Sequence, residues 1–159
     1  MTIEIRAAWQ SDAGQMADLI NRIISIGGST AYRTQFDTDK IVSEFISPEL
    51  SICCHVAVDA GRVCGFQALL WADPSWHGED RLPSDWAVIA TYVDPETHGK
   101  GIGRALFSST DAAARAADVV AIDATIRKEN AGGLSYYARM GFVDYRSGDE
   151  TISKRYKPL

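Results

Sequence analysis

Residues 92–106 read YVDPETHGKGIGRAL. An apolar run stops at Asp94-Pro95, three glycines follow at alternate positions, and an amphipathic pattern starts at Ile102. Glycine lets the backbone take positive φ and approach a ligand closely. A helix starting here presents unpaired N–H groups and the positive end of its dipole, an arrangement that favours an anion, phosphate above all. Lys100 and Arg104 add positive charge. A dinucleotide fingerprint, G-x-G-x-x-G, would need glycine at 104 or 106, where Arg104 and Leu106 stand. A P-loop, G-x-x-x-x-G-K-[ST], occurs nowhere in the chain. What remains is the shorter cradle His98-Gly99-Lys100-Gly101-Ile102-Gly103.

A second stretch, residues 123–142, reads DATIRKENAGGLSYYARMGF. Asn130 and Tyr137 lie seven positions apart and share one face of a short helix. Taken singly, Asn130 also suits a helix cap, and Tyr137 a half-buried helix aromatic. Cys53, Cys54, His55 and Cys64 invite a zinc reading. Neighbours on a strand point to opposite faces, so only Cys53 and His55 share one, and buried free thiols are the better account. No metal is expected.

The positioning elements follow from periodicity. Thr2–Ala7 alternates as a strand. Asp12 with Gln15 reads as a capping box before the apolar stripe Met16, Leu19, Ile20, Ile23, Ile24, a helix ended by Gly27-Gly28. A second helix starts near Thr38, buries Ile41, Val42, Phe45 and Ile46, and stops at Pro48. Residues 52–58 and 63–71 are strands joined through Asp59-Ala60-Gly61-Arg62. A polar loop, 73–85, is long enough to suggest a function, and we expect a lid over a binding site. Then come a strand over 86–93, a helix over 102–117, a strand over 119–126, a helix over 131–140 and two paired strands over 142–146 and 151–156. The order β-α-α-β-β-β-α-β-α-β-β predicts an α/β (α+β) fold: a mixed, mostly antiparallel sheet of about six or seven strands with about four helices on both faces.

A chain of 159 residues, 46% apolar and 23% charged, is one soluble globular domain over 1–159. No apolar run approaches a membrane span, and the first residues lack the apolar stretch of a signal peptide. A net charge of −5 with no Lys/Arg run longer than two speaks against nucleic acid. Three cysteines without an export signal fit a reducing cytoplasm.

The His98–Gly103 pattern, followed by Asn130 and by Tyr137-x-x-x-Gly141-Phe142, resembles the GNAT superfamily of acyl-CoA-dependent N-acetyltransferases. The likeness extends over nearly the whole chain, with His98 where the family has Gln or Arg. Residues 27–45 and both motifs are most similar to the phosphinothricin N-acetyltransferase-like branch. The resemblance implies direct acetyl transfer from acetyl-CoA to the primary amine of an amino-acid-like small molecule, by a homodimer. It implies that Tyr92, Val93, residues 98–104 (His98, Gly99, Lys100, Gly101, Ile102, Gly103, Arg104), Asn130 and Tyr137 bind the cosubstrate. It further implies that Tyr137 protonates the departing thiolate, a sensible pairing of a phenol of pKa about 10 with a thiol of about 8.5. A backbone N–H near Thr91–Val93 would meet the oxyanion. The position of the family's strand carboxylate falls near Val88, leaving Asp85, Asp123 or water as the route for the amine proton. Thr30, Tyr32 and Arg33, in the turn after the first helix, would help form the acceptor pocket, and Arg33 or Arg81 suits a substrate carboxylate. A second reading is a non-catalytic acyl-CoA sensor; the missing strand carboxylate favours it, the intact Tyr137 opposes it.

Overall fold

The computed structural model describes residues 2–27, 32 and 34–158. Strands β1 (Glu4–Ala7), β2 (Ser51–Asp59), β3 (Arg62–Trp71), β4 (Trp86–Val93), β5 (Ala121–Arg127), β6 (Val143–Ser147) and β7 (Thr151–Tyr156) join one sheet in the order β1-β2-β3-β4-β5-β7-β6. The helices are α1 (Ala13–Ile26), α2 (Thr38–Ile41, prolonged by a wider π turn over Val42–Ile46), α3 (Ile102–Ala116) and α4 (Ala131–Arg139). Element order and class are those the periodicity predicts.

Local chemistry explains most boundaries. Met16, Leu19, Ile20 and Ile23 are buried on α1, which ends at Gly27 with φ 81°. Asp37 caps α2 by accepting the Lys40 N–H at 2.8 Å. The β2–β3 turn puts Ala60 at φ 50° and Gly61 at φ 79°, the pair of positive values that a tight two-residue hairpin needs. The start of α1 departs from expectation. A 3-10 turn over Gln10–Asp12 precedes it, so Asp12 is itself helical and caps nothing in α1. Its carboxylate takes the Trp9 N–H at 2.7 Å and both Arg6 Nη groups at 2.8 and 2.9 Å. Gln15 turns instead to the hairpin, accepting the Val63 N–H at 2.8 Å.

Helices α1 and α2 cover one face of the sheet, where Phe36, Phe45, Phe66 and Tyr92 pack ring on ring. Helices α3 and α4 cover the other, over Leu69, Ala87, Ile89, Ile122 and Ala124. Five strand pairs are antiparallel; β4 and β5 are parallel. That parallel pair is short: Trp86↔Ala121, Ala87↔Ile122, Val88↔Asp123. Beyond it β4 stays with β3 as far as Val93↔Gly65, and β5 stays with β7 as far as Arg127↔Thr151. The sheet therefore forks after Val88.

Candidate active site

A cavity of about 580 Å³ lies at the fork, between the second half of β4, the start of α3 and α4. The turn before α3 forms one wall. Gly99 and Gly101 have φ of 82° and 78°, and a Cβ at either would meet nothing within 4 Å. Their need for glycine is conformational: an L-residue in this region costs about 1–2 kcal/mol. At Gly103 the need is steric, because a Cβ there would stand 2.6 Å from Cε1 of Tyr136.

The turn is anchored from behind. Asp94, fully buried, accepts the Glu96 N–H at 3.0 Å, two Nη groups of Arg22 at 3.3 and 3.2 Å and Nη2 of Arg62 at 2.9 Å. Burial by itself would raise this carboxyl, but the Glu96 N–H and the two guanidinium groups outweigh it and hold the group below its ordinary range.

The floor carries hydroxyls. Tyr137, on α4, is 7% exposed and packs edge-on against Tyr136 and Phe142. Its hydroxyl lies 2.8 Å from Oγ1 of Thr91, on β4. Nε2 of Gln67, on β3 opposite Thr91, donates to Thr91 Oγ1 at 2.8 Å and to the Tyr136 hydroxyl at 3.0 Å. Tyr136 in turn donates to the Gly103 carbonyl at 2.7 Å. Burial raises the Tyr137 phenol far above 10, with Tyr136, Tyr92 and Asp123 adding to the rise and Thr91 opposing it. Burial likewise pushes Tyr136 up to about 12. Tyr137 therefore stays a neutral phenol with a hydrogen to donate.

Most of the expected residues come together. Tyr92, Val93, His98, Gly99, Gly101, Ile102, Gly103, Arg104, Asn130 and Tyr137 line the cavity. Asn130 also caps α4, accepting the Gly133 N–H at 2.9 Å, so the cap reading holds for a residue that also lines the cavity. Lys100 is exposed and does not line the cavity. Asp85 is exposed before β4, six residues from Thr91 along an extended strand, which is roughly 20 Å. Asp123 is 4% exposed, at the end of the β4–β5 pairing and on the sheet face opposite α4. Burial raises its carboxyl against the bonds from Tyr145 and Thr125. No Asp or Glu lines the cavity among the described residues. Tyr32 packs against Phe36, with its hydroxyl 3.4 Å from Glu44. Arg81 is exposed in the 73–85 loop, and Thr30 and Arg33 lie outside the described residues. None of the loop residues lines the cavity. Trp76 is fixed within the loop by its indole N–H to Asp80 at 2.6 Å. The three cysteines are free thiols, and the described residues hold no cluster suited to a metal. Sequence reasoning missed Gln67, Tyr136 and Arg139; a lone glutamine in the apolar run of β3 was the available signal.

The forked mixed sheet, with its glycine cradle and buried tyrosine at the fork, can be set beside known proteins. Residues 51–144 match the acetyltransferase (GNAT) domain family, and the chain belongs to it. No curated protein sequence is a significant match. Among solved structures it is similar to the yncA protein of Salmonella typhimurium, solved with acetyl-CoA (19% identity, covering 100% of this chain and 95% of that one, TM-score 0.81). It is also similar to a GCN5-related N-acetyltransferase of Kribbella flavida (22%, 99% and 98%, 0.78). A third is a phosphinothricin acetyltransferase of Sinorhizobium meliloti in complex with acetyl-CoA (20%, 99% and 89%, 0.78).

Proposed function

We propose that this acetyltransferase-family protein moves an acetyl group from acetyl-CoA to the primary amine of a small molecule, an amino acid or close analogue. The observation that carries the reading is one cavity joining the glycine cradle, at one end, to a buried tyrosine hydroxyl at the fork, at the other. The cavity fits an elongated anionic thioester: positive-φ glycines and the α3 N-terminus for phosphates, Arg104 and Arg139 on the lining, apolar walls further in. Acetyl-CoA supplies the acetyl group as an activated thioester. The turn binds its pyrophosphate, Asn130 meets its pantetheine arm, and the β4 backbone near Thr91–Val93 receives the oxyanion. The Tyr137 hydroxyl donates a hydrogen bond to the departing sulfur.

With no carboxylate in the lining among the described residues, the amine proton leaves to water. The value of kcat/KM should then rise with pH along the acceptor's own ionisation and move with the pKa of the amine chosen. A limb unmoved by changing the amine, but abolished by Asp123→Asn, would assign the proton to Asp123 instead. The acceptor's amino-acid character, a homodimer and a cytoplasmic setting belong to the same proposal. Support comes from the fold shared with phosphinothricin acetyltransferases, the free thiols, and the lack of any helix long and apolar enough to cross a membrane among the described residues.

The test is release of CoA thiol from acetyl-CoA over phosphinothricin, methionine sulfoximine, methionine sulfone, the common amino acids, polyamines and short peptides. We expect turnover on an amino-acid-like amine, with Tyr137→Phe lowering kcat by about 10²-fold and acetyl-CoA affinity far less. Acetyl-CoA binding without turnover on any amine would favour the acyl-CoA sensor.

A further inference from the structure

Three elements far apart in sequence place a chain of polar groups beneath the Tyr137 hydroxyl, and its direction can be read from the chemistry of its ends. The Gly103 carbonyl can only accept, so the Tyr136 hydroxyl, 2.7 Å away, must give it its single hydrogen. The Tyr136 oxygen is then an acceptor toward Gln67, and the atom of Gln67 that faces it must be the amide nitrogen. The second hydrogen of that nitrogen goes to Thr91 Oγ1 at 2.8 Å. Thr91 Oγ1 accepts that hydrogen and lies 2.8 Å from the Tyr137 oxygen, a contact in which either hydroxyl can donate. With Thr91 as the donor, the Tyr137 hydrogen is free to point into the cavity that Tyr137 lines.

Gln67 is fully buried, and its Oε1 has no partner among the described residues. A buried acceptor left unpaired costs about 1–3 kcal/mol. Rotating the amide would not relieve this usefully, because it would set two acceptors against each other at Tyr136. The position tolerates the cost while the nitrogen serves two oxygens at once.

We propose that Gln67 and Thr91 are positioning residues that orient and acidify the Tyr137 hydroxyl, so that its hydrogen is presented to the thioester sulfur. The inference rests on the acetyl-transfer reading of the site. The hydrogen is shared rather than transferred: Thr91 donates to the phenol oxygen while the phenol donates to sulfur, so charge growing on the sulfur is met without Tyr137 becoming a phenolate. The CoA thiolate and the proton released by the amine leave the site separately.

The test needs no acceptor. Free CoA is bound to the full-length protein, and the pKa of its thiol is read from thiolate ultraviolet absorbance between about pH 6 and pH 10. Acetyl-CoA affinity and near-ultraviolet circular dichroism report folding of each variant. Thr91→Val should raise the bound thiol pKa by about one unit, a tenfold loss of thiolate stabilisation. Thr91→Ser should restore it. Gln67→Glu, which turns donors into acceptors and draws the Thr91 hydrogen away, should act like Thr91→Val. Adding Thr91→Val to Tyr137→Phe should change nothing further. A shift in Tyr137→Phe with none in Thr91→Val would overturn the relay and leave Tyr137 as the sulfur's partner. A Thr91→Val shift of the same size with and without Tyr137 would also overturn it. No shift in Tyr137→Phe would remove Tyr137 from the sulfur and the acetyl-transfer role given to it.

Discussion

Gly103 shows how one hydrogen atom in place of a methyl group sets a catalytic geometry. Its carbonyl receives the Tyr136 hydroxyl and its Cα lies under the same ring. Gly103→Ala would drive a Cβ to 2.6 Å of that ring, so the ring must shift and its bond to the carbonyl is disturbed. We expect about 10-fold or more off kcat/KM for acetyl-CoA, with a stability loss of about 1–3 kcal/mol seen in urea melts. Gly101→Ala is a different perturbation: nothing blocks its Cβ, and only the positive φ resists, at about 1–2 kcal/mol. The glycines were legible in the sequence because the conformations they permit are local. Tyr136 was not, because its meaning depends on Gly103 and Gln67, brought to it from 33 and 69 residues away.

Among the elements, the turn before α3 is the one whose position is bought from outside itself. Asp94 ties it to Arg22 on α1 and Arg62 at the start of β3. Both guanidinium groups are about half exposed, at 43% and 60%, so Asp94→Ala lets them hydrate and costs less than a fully buried pair. We expect roughly 1–2 kcal/mol of stability, counting the lost cap at Glu96. The kinetic signature should be a raised KM for acetyl-CoA with kcat little changed, measured by varying acetyl-CoA at saturating amine. Helix and strand order could be read from periodicity because α1 and α3 each carry one apolar stripe. The Asp94 network and the Gln67–Thr91 pairing could not, since both depend on strand register and on contacts spanning 24 to 72 residues. The 73–85 loop, expected as a lid, adds no residue to the cavity lining among the described residues, and its Trp76, 54% exposed, is held by Asp80 within the same loop.

For the molecule as a whole, pH acts through a few buried groups. Burial holds the His55 imidazole below its ordinary 6.5, and its Nδ1 has no partner among the described residues. The unfolded chain takes up this proton first as the pH falls, so stability is complete above that value and declines as the pH drops through it. Asp123, raised by burial, works the other way, since the folded state binds its proton first. Asp12, held below 3.8 by Arg6, and Asp94 lose their contributions only in stronger acid. Urea midpoints between about pH 7 and pH 5.5 should fall for the parent protein; in His55→Leu they should stay level or rise.

The fork of the sheet has one more consequence. Three residue pairs are all that join β4 to β5. On one side stand β1–β4 with α1 and α2; on the other, β5, β7 and β6 with α4; α3 lies across both, its Phe107 packed on Phe142 and Tyr156. So short a seam makes the two sides natural units of cooperative opening. Amide exchange in the free protein should show the β5–β7–β6 side opening at a lower free energy than β2 and β3. A ligand lodged in the fork touches both sides, so saturation should bring their exchange rates together and raise the melting temperature by mass action.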